Sequence, residues 1–142
     1  MAVKLFIDTW GWLTLHDKGE RKHPEATQVY QDAIAQNSWI YTTDYVLDET
    51  FTFFFKRLPA SRANQSMNDL LASFHIKNFH LIRITEERFT QTQILRSKLL
   101  DKPQISFTDL TSIIVMQEFS VLEVLTEDAH FTHVGMGFQR VP

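Results

Sequence analysis

Short apolar runs recur along the chain, and helix-length segments separate them. The runs are VKLFI (residues 3–7), WIYT (39–42), FHLIRI (79–84), VLEVL (121–125) and Phe138 to Val141. A strand that must wait a dozen or more residues for its neighbour is joined by a crossover, and crossovers make parallel pairs. The intervening segments read as helices: Gly11–Asp17, Pro24–Gln36, a helix from Thr43 carrying Leu47, Phe51, Phe54 and Leu58, and Ala60–Phe74 with Met67, Leu70, Leu71 and Phe74 inward. Thr85-Glu86-Glu87 opens another that runs to about Leu100, and Ser106 starts a last one through Ile113, Ile114 and Met116 to about Phe119. The expectation is an α/β fold with a central, mostly parallel sheet of about five strands, covered on both faces.

With 142 residues, 44% of them apolar and 13% aromatic, one domain spanning residues 1–142 is expected, with a core too large for a disordered chain. Cysteine is absent, which excludes disulfides and thiolate metal sites. The apolar run in MAVKLFID is too short for a signal peptide and no stretch reaches membrane-spanning length, so the expected setting is cytoplasmic, with no membrane partner. The net charge of −3 does not advertise a nucleic-acid binder, although two bound divalent cations would reverse its sign.

Acidic residues sit at or near the ends of the expected strands. Asp8 follows the first, Asp48 and Glu49 lie one turn into the helix after the second, and Asp109 opens the helix before the fourth, which Asp128 follows. In a doubly wound sheet such ends converge on one rim. Converging carboxylates resist joint ionisation, so a cluster makes sense chiefly around a cation, and hard oxygen donors select Mg²⁺ or Mn²⁺. Each acid also has a plainer reading. Asp8 suits the N-cap of a short helix, Asp109 stands three residues after Ser106 as in a capping box, and Asp128 suits a turn. Glu49 falls nearly opposite the Leu47/Phe51/Phe54 stripe, as a solvated residue would.

Four segments then carry a family resemblance. FIDTWGW with Asp8, YTTDYVLDETFT with Glu49 rather than Asp48, SFTDLTSIIVM with Asp109, and LTEDAHF with Asp128 and Phe131 resemble, in order, the motifs of PIN-domain ribonucleases, especially VapC-type toxins of type II toxin–antitoxin systems. Two departures stand out: Trp10 and Trp12 flank Gly11 where small residues are frequent, and Glu127 occupies a place where Asn is frequent.

The resemblance implies a three-layer α/β/α PIN-like fold and a metal-dependent endoribonuclease. Asp8, Glu49, Asp109 and Asp128 would hold one or two Mg²⁺ or Mn²⁺ ions, and the products would carry a 5′-phosphate and a 3′-hydroxyl. It also implies a small antitoxin as partner and a homodimer. Thr9, Ser106 and Thr126 stand beside the acids as residues that orient them or cap local structure. Lys56, Arg57 and Arg62 are candidate phosphate contacts, as are Arg88, Arg96 and Lys98 along a later helix, although charges on helices are usually a solvated face. Trp10 or Trp12 is a candidate for base stacking. His130 and His133, three apart, suggest zinc only weakly without an HExxH motif, and His130 alone suits a place near the phosphate. The alternative is a PIN-like domain without turnover that binds RNA or protein. A haloacid-dehalogenase-type phosphatase would need an acid at Trp10, and a response-regulator receiver a phosphoacceptor Asp ending the central strand and a later Lys; FHLIRITEE offers no such Asp, and no such Lys stands out.

Overall fold

The structure, a computed structural model, describes residues 3–142, so the part of the MAVKLFID reading that concerns Met1 and Ala2 lies outside the described residues. The elements are β1 (Lys4–Ile7), α1 (Thr9–His16), α2 (His23–Ala35), β2 (Trp39–Thr43), α3 (Asp44–Arg57), α4 (Ala60–Ser73), β3 (Phe79–Ile82), α5 (Glu86–Lys98), α6 (Phe107–Glu118), β4 (Glu123–Leu125), α7 (His130–His133) and β5 (Gln139–Val141). The strands form one sheet in the order β3-β2-β1-β4-β5, and every pair is parallel.

That order has a direct consequence. From β1 the chain moves outward through β2 to β3, then returns across two strands to place β4 on the other side of β1. Right-handed crossovers in opposite directions put helices on opposite faces. Accordingly α1 packs on α2 and α3, α3 packs on α4, and α5 packs on α6. The carboxyl ends of β1 and β4 flank the switch point, where open α/β sheets form their crevice.

The central strands are buried throughout their inner length: Phe6, Ile7, Ile40, Val124 and Leu125 are fully enclosed, as runs buried on both faces require. On α6, Leu110, Ile113, Val115 and Met116 are buried, so that helix is apolar nearly all round. Several boundaries differ from the sequence reading. Helix α1 begins at Thr9 rather than Gly11 because Asp8 caps it; β3 stops at Ile82 and β4 starts at Glu123. The inward face of α3 is Val46, Leu47, Thr50 and Phe54, with Phe51 only partly buried, and Leu71 of α4 is exposed rather than inward. The segment after β4 also forms a short helix, α7, where Asp128 caps a turn through the His130 N–H.

Gly11 explains how α1 can start so close to the sheet. A Cβ there would lie 2.6 Å from the Leu125 carbonyl oxygen and 2.7 Å from Ile7 Cγ2. Only glycine lets the first turn of α1 press against the end of β4, which keeps Asp8 beside the residues that follow β4. On either side of it, Trp12 goes inward, its indole N–H donating to Thr42 Oγ1 at 3.1 Å, while Trp10 stays partly exposed.

Candidate active site

Asp8 ends β1 and caps α1. Its Oδ1 accepts the Gly11 N–H at 3.0 Å and its Oδ2 accepts the Thr126 hydroxyl at 2.6 Å, at 6% exposure. Burial pushes its carboxyl up to about 7; the charges of Asp109 and Asp128 push the same way, against the two hydrogen bonds. The capping reading and the cluster reading of Asp8 thus describe one side chain.

Thr126 joins the two strand ends. Its backbone N–H donates to the Val141 carbonyl at 3.0 Å, and its Oγ1 accepts the Asp128 N–H at 2.9 Å while donating to Asp8. Asp128 Oδ1 accepts the His130 N–H at 2.8 Å, so the turn reading of Asp128 also holds. Phe131, fully buried, anchors α7 to the core. Ser106 caps α6 through the Asp109 N–H at 3.1 Å, and places Asp109 in the first turn. Burial, then the charge of Asp128, push Asp109 up to about 6.

Glu49 joins this group from α3. It accepts the Thr9 hydroxyl at 2.5 Å, a bond between the first turn of α1 and the second turn of α3. Glu49 stays partly exposed, as its place opposite the core stripe requires, yet it faces the groove because α3 has two working faces. Glu49, Phe53 and Arg57, spaced four apart, line the groove in front of the acids, while the apolar face is turned to the core.

The groove has a volume of about 530 Å³, and its walls include Asp8, Glu49, Asp109, Asp128, Thr9, Ser106, Trp10, Arg57, Gln104, Glu127 and His130. Four acids from four segments therefore share one crevice at the switch point. Among the described residues, ligand atoms of Asp109, Asp128 and His130 lie within 4.8 Å of one another. The His130 ring Nδ1 stands 3.1 Å from Asp128 Oδ1 and 3.4 Å from Asp109 Oδ2. His133 is exposed and does not line the groove, so the His130/His133 pair does not converge.

The remaining candidates are scattered. Arg57 lies over the Phe53 ring at 4.8 Å, with a guanidinium nitrogen 3.9 Å from Glu20. Lys56 stands over the same ring at 5.8 Å without lining the groove, and Arg62 donates to the His16 carbonyl at 3.3 Å, away from it. Arg88 pairs with Glu118, and Arg96 donates to the carbonyls of Leu99, Lys102 and Ile105; both hold structure rather than offering a phosphate track. Trp12 is 1% exposed, which removes it from stacking; Trp10 lines the groove. Glu127 is ion-paired with Arg21 at 3.5 Å and Lys22 at 3.4 Å. Gln104 and Phe53 carry no sequence motif and become visible only as walls.

The donor set fits a divalent cation. The buried carboxyl of Asp8 and the half-buried one of Asp109 have their charged forms disfavoured by desolvation and by neighbouring acids, and His130 is the one basic side chain within 4 Å of them among the described residues. Hard oxygen donors around such a deficit suit a divalent ion. No helix among the described residues is long and apolar enough to cross a membrane.

No family model matches the sequence, and no match is found among curated proteins. Solved structures do match. VapC20 of Mycobacterium tuberculosis, described as a Sarcin-Ricin loop cleaving toxin, superposes with a TM-score of 0.77 at 22% identity, over 92% of this chain and 95% of that one. VapBC2 of Rickettsia felis, bound to a DNA fragment from their promoter, gives 0.74 at 14% identity over 99% and 100%. A protein of Pyrobaculum aerophilum gives 0.67 at 14% over 99% and 92%. The fold is therefore the PIN-like α/β/α fold of VapC proteins.

Proposed function

We propose that the chain is a single-domain, Mg²⁺- or Mn²⁺-dependent endoribonuclease and the toxin of a toxin–antitoxin pair. The observation that carries this reading is the convergence of Asp8, Glu49, Asp109 and Asp128, from four separate segments, on one groove at the switch point of a VapC-like sheet. Asp8 and Asp109 are the primary metal ligands; Glu49 and Asp128 bind the metal or position water on it. A divalent cation held there supplies Lewis acidity toward a phosphodiester and makes water a usable nucleophile near neutral pH.

The chain's own residues do the rest. The Gly11 N–H and Thr126 hydroxyl fix both oxygens of Asp8. Thr9 orients Glu49, and the Ser106 cap sets the start of the helix bearing Asp109. Arg57, braced on Phe53, receives a substrate phosphate on the wall opposite the strand ends, and Trp10 offers a face for an unstacked base. The small antitoxin partner, the RNA substrate and the cytoplasmic setting belong to the same reading, supported by the likeness to VapC20 and VapBC2. Exposed Phe89, Ile94 and Leu100 leave apolar surface for a second copy in a homodimer.

The test is cleavage of a mixed RNA pool with Mg²⁺, Mn²⁺ or EDTA by wild type and Asp8→Asn. Metal-dependent cleavage with a 5′-phosphate product, lost in the variant, is the expected result. Undiminished cleavage in EDTA, or by the variant, overturns the assignment; RNA binding without any cleavage would favour a binding module.

A further inference from the structure

The feature that the four-acid arrangement leaves unused is the imidazole of His130. Its ring is 25% exposed and lines the groove, and its Nδ1 lies within 3.4 Å of an oxygen on each of Asp109 and Asp128. The ring has no other hydrogen-bonding partner among the described residues, while its backbone N–H is bound to Asp128 Oδ1. The fully buried Phe131 next in sequence anchors α7, which limits how far the ring can move. Two carboxylate oxygens and one imidazole nitrogen within 4.8 Å of one another form a converging mixed-donor triad, and neither Asp8 nor Glu49 belongs to it.

We propose that His130 is a direct metal ligand, so that the ion beside Asp109 and Asp128 is held by nitrogen as well as oxygen. This rests on the metal-dependent reading above and deepens it, because the donor set decides which ion the site prefers. Mg²⁺ is served by carboxylate, carbonyl and water, whereas an imidazole strengthens binding of ions later in the first transition row. The site is therefore selective for Mn²⁺, and more so for Co²⁺, over Mg²⁺. His130 positions the metal through a bond that a purely carboxylate centre lacks.

The experiment reads the bond itself. The purified full chain is loaded with Mn²⁺ and examined by pulsed electron paramagnetic resonance for coupling to a directly bonded imidazole nitrogen. Histidine of a different nitrogen isotope assigns the signal, and Mg²⁺ and Mn²⁺ affinities are measured by calorimetry. Wild type and His133→Asn are expected to show the coupling. His130→Asn is expected to lose it, with Mn²⁺ affinity lower by about tenfold or more and Mg²⁺ affinity changed by less than about threefold.

Mn²⁺ binding without nitrogen coupling in wild type overturns the inference and leaves the nuclease reading standing. Equal losses for Mg²⁺ and Mn²⁺ in His130→Asn also overturn it. Absence of any Mn²⁺ binding overturns the inference; EDTA-sensitive RNA cleavage, measured separately, then leaves the nuclease reading standing, and absence of such cleavage overturns it too. The wild-type spectrum needs no variant, so a His130→Asn protein that misfolds does not rescue the proposal.

Discussion

Replacing Asp8 with Asn should make the metal-free protein more stable at alkaline pH while removing its chemistry. The buried carboxyl has its pKa raised from 3.8 to about 7. The folded state therefore holds its proton where the unfolded chain has released it. Below the unfolded value both states are protonated and nothing is lost. Between about pH 4 and pH 7 stability falls as pH rises, and above the folded value the full penalty remains. For a shift of that size the loss between pH 5 and pH 8 is on the order of 2–3 kcal/mol from Asp8 alone. Asn keeps the cap, since its side-chain oxygen still accepts the Gly11 N–H, but it weakens the link to Thr126 by about 1 kcal/mol. Urea unfolding in EDTA at both pH values reads the difference. Asp8→Asn should be near neutral or slightly destabilising at pH 5 and stabilising by roughly 2 kcal/mol at pH 8. Saturating Mn²⁺ should restore the wild type at pH 8 and have much less effect on the variant. A variant equally destabilised at both pH values would refute the picture of a strained, like-charged centre.

The other perturbations test the supports. Thr126→Val removes the hydroxyl that holds Asp8 and should cost about 1.5–3 kcal/mol at pH 8 and less at pH 5, the reverse of the Asp8→Asn profile, in the same unfolding assay. Gly11→Ala must push α1 off the Leu125 carbonyl and should cost about 1–3 kcal/mol, read as a lower Tm, with weaker Mn²⁺ binding as Asp8 shifts. Trp10→Ala should raise KM for RNA several-fold with calorimetric Mn²⁺ affinity unchanged; an unchanged KM would remove Trp10 from the substrate path.

The sheet was legible in the sequence because burial on both faces leaves apolar runs that need no alternation to be recognised, as in VKLFI and VLEVL. Asp8 and Asp128 were legible because each closely follows such a run, whereas Glu49 and Asp109 lie on helices and stood out through the resemblance of their segments. What escaped was whatever depends on one helix serving two surfaces. The core stripe of α3 by itself leaves Glu49 facing solvent and says nothing of Phe53, yet Glu49, Phe53 and Arg57 form a second stripe whose partner is a groove and not a core. Trp12 and Arg96 show the converse. An aromatic and a cation in suggestive places are held inward by hydrogen bonds, from Trp12 across to Thr42 on β2 and from Arg96 to three nearby loop carbonyls, that no periodicity encodes. His130 was visible, but its direction depends on α7, a helix of four residues.

The bond from Thr126 to Asp8 spans 118 residues of chain. No fragment that lacks either end of that span contains the complete groove, however well its helices form. A protease cut followed by loss of one piece, or a ribosome halted before β4, leaves a molecule without a reaction centre. In a protein read as a toxin, that geometry is a safeguard: the hazardous activity arises only when both ends of the span have come together.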